Sequence, residues 1–102
     1  IMKMYYIDEN TKYINGKFNI KEPISSEEAF KNDIDLFIVP GVCFSIYKDR
    51  CGYGKGYYDR YLENTKGVKI GLCYDETITD IKFSYENDIL MDYVISEKRI
   101  IY

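Results

Sequence analysis

The segment 51–60, CGYGKGYYDR, places three glycines at alternate positions and follows them with tyrosines, an aspartate and an arginine. Glycine at every second position disfavours both helix and strand, so local stability does not explain the pattern. Glycines let a backbone close on phosphate oxygens, and Lys55, Arg50 and Arg60 supply positive charge. The segment therefore indicates a phosphate-binding loop, with a glycine-rich surface turn as the alternative.

Two familiar phosphate-binding motifs do not fit this spacing. A P-loop requires Ser or Thr after its Gly-Lys pair, whereas Lys55 is followed by Gly56. The dinucleotide fingerprint requires GxGxxG, and here the third glycine follows Gly54 one residue too early.

The composition excludes several classes of function. Because the chain has no histidine, it cannot by itself build a Ser-His-Asp or Cys-His hydrolase or a HExxH zinc site. A net charge of −3 argues against a nucleic-acid partner, and the longest apolar run, 36–47, is too short to cross a membrane. Three cysteines without CxxC spacing indicate reduced thiols in a cytoplasmic protein.

The sequence around the loop predicts one α/β domain, because 102 residues allow one domain at most. We expect a strand buried on both faces at 35–40, an irregular loop from 42 to about 55, a helix over 56–64, and strands at 68–74 and 92–96. This order predicts a mainly parallel sheet. The glycines would follow the carboxyl end of a strand and precede a helix N-terminus, where anions bind in such folds.

The N-terminal third gives weaker signals. Residues 2–7 predict a strand, and Asn-Gly within 13–20 predicts a turn. Pro23 is expected to end any regular element, and the capping box SSEE at 25–28 predicts a short helix to about Asn32.

The aromatic and cysteine side chains of the second half of the chain are expected to lie in different environments. Tyr61 and Leu62 should pack on the sheet, whereas Tyr57 should face the ligand. Small, buried apolar side chains are expected at Cys43, Cys51 and Cys73.

Four segments, in order, resemble the C-terminal half of the 5-formyltetrahydrofolate cyclo-ligase (methenyltetrahydrofolate synthetase) family. They are VPGVCF (39–44), RCGYGKGYYDRYL (50–62), KIGLCYDE (69–76) and ENDILMDYVIS (86–96). The resemblance implies an α/β fold with a mainly parallel sheet flanked by helices, Rossmann-like and of the NagB/RpiA/CoA-transferase-like type. Residues 1–102 would form the C-terminal portion of one such domain. Two positions depart from the family's pattern: its usual Phe-Asp is Phe44-Ser45 here, and its usual leucine after the loop arginine is Cys51.

The resemblance also implies a reaction. Members of this family are enzymes that use ATP and Mg²⁺ to convert 5-formyltetrahydrofolate into 5,10-methenyltetrahydrofolate, releasing ADP and phosphate. The formyl oxygen would attack the γ-phosphate, and N10 would then close the ring and expel phosphate. Phosphoryl transfer depends on positioning and charge neutralisation, which suits a chain without histidine.

Position by position, the resemblance assigns the site. The ATP phosphate loop would comprise Arg50, Cys51, Gly52, Tyr53, Gly54, Lys55, Gly56, Tyr57 and Tyr58. Folate would also contact Tyr53, Gly54, Lys55, Gly56 and Tyr57. Lys55 and Arg50 would be catalytic, and Asp59 and Asp88 would serve the magnesium ion. From the residues alone, Lys55 and Asp88 fit ordinary surface charges, and Asp59 fits a partner of the helix dipole.

Members of the family are considerably longer, so the resemblance implies that an N-terminal portion with a basic, ATP-contacting helix is missing. The lysines within 1–35 are scattered and do not supply such a helix. We expect these residues to leave an apolar patch exposed, to associate with the missing portion or with themselves, and not to turn over alone. The alternatives are a cyclo-ligase-like module that binds nucleotide or folate without turnover, and an inactive fragment.

Overall fold

The computed structural model describes residues 2–25, 27–54, 56–83 and 89–102, and its N-terminal third is made of short strands. Strands β1 (Met4–Tyr5), β2 (Lys12–Asn15), β3 (Lys21–Ile24) and β4 (Glu28–Ala29) form two antiparallel pairs, β1 with β4 and β2 with β3. The predicted strand within 2–7 and the predicted turn within 13–20 are therefore confirmed.

Two predictions in this region are wrong. The expected helix to Asn32 is replaced by β4 and a single 3₁₀ turn, Lys31–Asp33, because pairing with β1 holds this backbone extended. The Ser25 hydroxyl donates to the carbonyl of Tyr6, which ties the strand pair together instead of capping a helix. Pro23 lies inside β3, where a two-stranded ribbon leaves one side of each strand free of ladder hydrogen bonds.

The remaining elements alternate strands with one helix. They are β5 (Leu36–Val39), β6 (Cys43–Ser45), β7 (Arg50–Cys51), α1 (Tyr57–Leu62), β8 (Val68–Leu72), β9 (Ile78–Thr79), β10 (Tyr93–Ile95) and β11 (Ile100–Ile101). The predicted helix and the three predicted strands are confirmed, each shorter than expected. The segment 42–55, expected to be irregular, contains the antiparallel pair β6–β7, whose first strand also runs parallel to β9.

The largest sheet has four strands in the order β11-β10-β8-β5. Strands β5, β8 and β10 run parallel, and β11 closes the edge antiparallel to β10. The sheet is thus mixed with a parallel centre, and in the described part of the chain α1 is the one α-helix that packs on it. These features agree with an α/β fold at the level of layers and strand directions.

One face of this sheet carries the hydrophobic core. Six buried side chains form one cluster: Phe37, Val39, Phe44, Leu62, Met91 and Val94. The ring of Phe44 lies against Gly71, where an added Cβ would come within 2.8 Å of Phe44 Cδ1. Glycine is therefore required at position 71 for β6 to approach the sheet this closely.

The opposite face of the sheet is open and apolar. Burial along β5 alternates, so Leu36 and Ile38 remain 51% and 55% exposed, and the prediction of burial on both faces is wrong for this chain. Register places exposed residues of the neighbouring strands beside them: Val68, Leu72 and Tyr93. The expected exposed apolar patch is confirmed.

Candidate functional site

Arg50 begins β7, the strand that leads into the glycine loop (residues 52–56), and its side chain is buried inside the protein. Its Nε donates a 2.6 Å hydrogen bond to the carbonyl of Pro40, directly after β5. Its guanidinium carbon lies 4.9 Å from the ring centre of Tyr58 on α1. One side chain therefore holds together the end of β5, the start of the loop and the helix after it.

Two buried residues, a serine and an aspartate, close the turn of the β6–β7 hairpin, whose second strand begins with Arg50. Ser45 and Asp49 are both fully buried, and the Ser45 hydroxyl donates a 2.6 Å hydrogen bond to Asp49 Oδ2. The same hydroxyl oxygen accepts the backbone N–H of Asp49 at 3.1 Å. Phe83 N–H donates to Asp49 Oδ2 at 3.3 Å, and Lys82 Nζ lies 3.8 Å from Oδ1. No sequence pattern pointed to Asp49; the signal in this hairpin was Ser45, where the chain departs from the family's usual aspartate.

The described residues of the glycine loop leave open space for a ligand. Gly54 and Gly56 have φ angles of 94° and 68°, a region that favours glycine. A Cβ on Gly54 would meet no atom within 4 Å, and a Cβ on Gly52 would come within 3.0 Å of Arg50 Nη1. Tyr53 is 69% exposed. The loop thus presents bare backbone beside a buried guanidinium, and the predicted catalytic Lys55 lies outside the described residues.

Helix α1 distributes its side chains to two sides. Leu62 is buried in the core and the Tyr61 ring packs edge-on against Phe37, with centroids 6.2 Å apart, which confirms the predicted packing of both residues. Tyr57 is 48% exposed, and Arg60 places its guanidinium carbon 5.4 Å from the Tyr57 ring centre. Asp59 lies in the first turn and is partly buried.

A cleft of about 440 Å³, here called cleft A, opens beside the exposed side of α1. It is lined by Met2, Glu28, Phe30, Lys31, Tyr57, Arg60 and Tyr61. Lys31 Nζ donates to the carbonyl of Glu63 at 2.9 Å, so this lysine also satisfies the end of the helix. Burial and, to a lesser extent, the negative charge of Glu28 raise the pKa of Tyr61. Four lining residues come from the N-terminal third, where the sequence predicted no site residue.

A second cleft, cleft B, has a volume of about 600 Å³ and lies where β5, β8 and β10 end. Its lining comprises Pro40, Gly41, Leu72, Cys73, Tyr74, Thr77, Ser96 and Glu97. The crevice outside the carboxyl ends of parallel strands is where α/β sheets bind ligands, but none of the described residues of the glycine loop lines cleft B.

An ion pair fixes the chain at the edge of cleft B. Asp75 Oδ1 accepts hydrogen bonds from the Ser96 hydroxyl at 2.8 Å and from Arg99 Nε at 2.9 Å. The hydrogen bond from Ser96 and, to a lesser extent, the contacts of Arg99 lower the pKa of Asp75. Glu97 in turn accepts the backbone N–H of Asp75 at 2.8 Å.

Few of the described side chains near the glycine loop could bind a metal ion. Among the residues that the structure describes, no three Asp, Glu, Cys or His side chains gather into a metal cluster. Asp59 offers one carboxylate next to the loop, and the predicted ligand Asp88 lies outside the described residues. One or two carboxylates suit Mg²⁺, which takes its remaining ligands from phosphates and water. No helix in the described ranges is long and apolar enough to cross a membrane.

Comparison with known proteins gives one consistent result. The profile of the 5-formyltetrahydrofolate cyclo-ligase family matches residues 1–97. A 5-formyltetrahydrofolate cyclo-ligase of Mycoplasma genitalium is 37% identical over 93 residues, covering 86% of this chain and 47% of that protein. The solved structure of Aquifex aeolicus 5,10-methenyltetrahydrofolate synthetase is 35% identical, with a TM-score of 0.83 over 96% of this chain and 50% of its own. A Mycoplasma pneumoniae 5,10-methenyltetrahydrofolate synthetase gives a TM-score of 0.63 at 29% identity, over 83% of this chain and 54% of its own. The chain spans about half the length of these relatives.

Proposed function

The chain belongs to the 5-formyltetrahydrofolate cyclo-ligase family, and we propose that it supplies the glycine loop on which ATP phosphorylates 5-formyltetrahydrofolate. Ring closure then yields 5,10-methenyltetrahydrofolate, ADP and phosphate. The relatives' names supply the folate reaction, and the loop's chemistry supports a nucleotide phosphate as the second ligand. The full domain would be a Rossmann-like fold of the NagB/RpiA/CoA-transferase-like type acting in the cytoplasm.

The observation that carries this proposal is that the residues flanking the glycine loop reach two clefts. On the N-terminal side of the loop, Arg50 bonds to Pro40, which lines cleft B; directly after the loop, Tyr57 lines cleft A. A reaction in which a phosphoryl group passes between two bound substrates requires both to meet at one place. The loop is where they would meet, with the aromatic cleft A suited to the flat rings of the folate.

The chain's own residues would bind, orient and neutralise charge. Backbone N–H groups of residues 52–56 would hold phosphate oxygens, with Lys55 and the Arg50 Nη atoms beside Gly52 as the cationic groups. Asp59 and Asp88 would hold Mg²⁺, whose bound charge would neutralise the phosphates of ATP. Tyr53 and Tyr57, the exposed aromatics at either end of the loop, would contact the folate.

We further propose that a missing N-terminal portion covers the open face of the sheet. The relatives are about twice as long as this chain, and the exposed apolar side chains on that face need a partner of substantial size. Helix α1 cannot cover these side chains, because it packs on the opposite face of the sheet. On this proposal the 102 residues bind Mg·ATP weakly and do not turn over alone.

The test follows the absorbance of methenyltetrahydrofolate with ATP, Mg²⁺ and 5-formyltetrahydrofolate. We expect no product from the purified chain, and product when the N-terminal half of the Mycoplasma genitalium relative is added. Lys55→Met should then lower kcat far more than it raises KM for the folate. Robust single-turnover ring closure by the monomeric chain would contradict the proposed need for another portion. Absence of product from the mixture, together with absence of Mg·ATP binding, would favour an inactive fragment.

A further inference from the structure

Two cysteines lie opposite each other on β6 and β7, the strand pair that precedes the glycine loop. Cys43 of β6 and Cys51 of β7 are register partners in the antiparallel pair, and both thiols are free and partly exposed. Directly opposed residues in such a pair have Cα atoms about 4.5–5.5 Å apart. Disulfides span Cα separations of about 4.4–6.8 Å, so the backbone needs no rearrangement to bring the two sulfurs into bonding range.

A backbone hydrogen bond holds the two strands together beside the cysteine pair. The Cys51 carbonyl accepts the N–H of Val42 at 2.7 Å, which holds the two strands together at this level. Burial, followed by the neighbouring Cys51, raises the pKa of Cys43. Cys73, the third cysteine, directly follows β8, and its Sγ lies 3.9 Å from the carbonyl oxygen of Ile95.

We propose that Cys43 and Cys51 form a reversible intramolecular disulfide that ties the entrance of the glycine loop to β6. With a peroxide as oxidant, one thiolate attacks a peroxide oxygen, which breaks the O–O bond and gives a sulfenic acid and water. The second thiolate then attacks the sulfenic sulfur, forming the S–S bond and releasing the hydroxyl, which leaves as a second water. The two thiols lose two electrons and two protons in total, and a dithiol reductant reverses the step.

The position of the pair decides what the bond would constrain. Cys51 immediately precedes Gly52, and the ring closed by the bond contains the hairpin of Ser45 and Asp49 that delivers Arg50. A cross-link there restricts the unfolded chain and fixes the strand before the loop. This inference does not depend on the identity of the ligand that the loop binds.

The experiment is peptide mapping of the 102-residue chain after mild peroxide treatment under native conditions. Trypsin cuts after Lys31, Lys48 and Arg50, which separates Cys43 in 32–48 from Cys51 in 51–55. We expect the free thiol count to fall from three to one, and a non-reduced digest to contain these two peptides joined. The thermal unfolding midpoint should rise by roughly 5–10 °C and return on reduction.

Two variants make the result specific. Cys43→Ser should abolish both the linked peptide and the rise in midpoint, whereas Cys73→Ser should leave both unchanged. A chain oxidised in denaturant provides the reference, because three equivalent thiols would then also form pairs that include Cys73. Native oxidation that links Cys73, joins two chains, or gives sulfinic acid in place of the linked peptide would overturn the inference.

Discussion

The guanidinium of Arg50 lies 4.9 Å from the ring centre of Tyr58, on the opposite side of the glycine loop. Because Arg50 also bonds to the carbonyl of Pro40 at 2.6 Å, the two ends of the loop and the end of β5 share one buried cation. The loop can therefore be open and rich in glycine while its ends stay fixed.

Arg50→Lys tests this arrangement. Lysine lacks the planar group that donates from Nε while stacking on a ring, so we expect the free energy of unfolding to fall by about 1–3 kcal/mol. Urea unfolding followed by circular dichroism measures the loss. The matched control is Arg60→Lys, because Arg60 is exposed and stacks on the exposed Tyr57; its change should stay within about 0.5 kcal/mol. Equal losses in the two variants would remove Arg50 from its bridging role.

Ser45→Ala tests the buried pair in the hairpin. The change removes a 2.6 Å hydrogen bond to a buried carboxylate, so we expect a loss of about 1–3 kcal/mol in the free energy of unfolding. Ser25→Ala serves as the control, since it removes an exposed hydrogen bond to the carbonyl of Tyr6 and should cost much less. If Ser45→Ala is as stable as the parent chain, the pair does not hold the hairpin.

Gly71→Ala tests the close approach of β6 to the sheet. The added methyl would meet the ring of Phe44 at 2.8 Å from Cδ1, and overpacking of this kind costs about 1–3 kcal/mol. Leu72→Ala, on the open face one residue later, should change the free energy of unfolding far less in the same urea titration. The opposite ranking of the two variants would place Phe44 elsewhere.

Asp75 should make stability depend on pH at the acid end. Its pKa is lowered in the folded chain, so its contribution is present above the unfolded pKa of about 3.9 and is lost as pH falls through the lower, folded value. Thermal unfolding midpoints measured between about pH 6 and pH 3 should therefore fall less steeply in Asp75→Asn than in the parent. Parallel curves would show that Ser96 and Arg99 do not stabilise the charged form.

Local patterns predicted the second half of the chain better than the first. The apolar segments 35–40, 68–74 and 92–96 are strands because no competing signal interrupts them, and Tyr57–Leu62 is a helix with its apolar side inward. The capping box at 25–28 failed because β4 pairs with β1, a contact more than twenty residues away in sequence. Local spacing contains no information about such pairing.

The candidate site was likewise only partly predictable from the sequence. Glycines and charges in 50–60 indicated the loop directly, since their spacing has no structural use in a helix or strand. Cleft A was not predictable, because Met2 and Phe30 reach it only through the fold. No sequence pattern indicated a role for Asp49, because only its burial against Ser45 in the folded chain reveals that role.

The most direct test of the account is calorimetric titration of the chain with ATP in the presence and absence of Mg²⁺. We predict binding that requires Mg²⁺ and that weakens about tenfold or more in Asp59→Asn, which keeps the size of the side chain and removes the charge that a hard cation needs. Asp35→Asn, an exposed carboxylate next to β5, is the matched control and should bind as the parent does. Unchanged Mg·ATP affinity in Asp59→Asn would remove Asp59 from the site, and no ATP binding by the parent chain would contradict the assignment of the glycine loop.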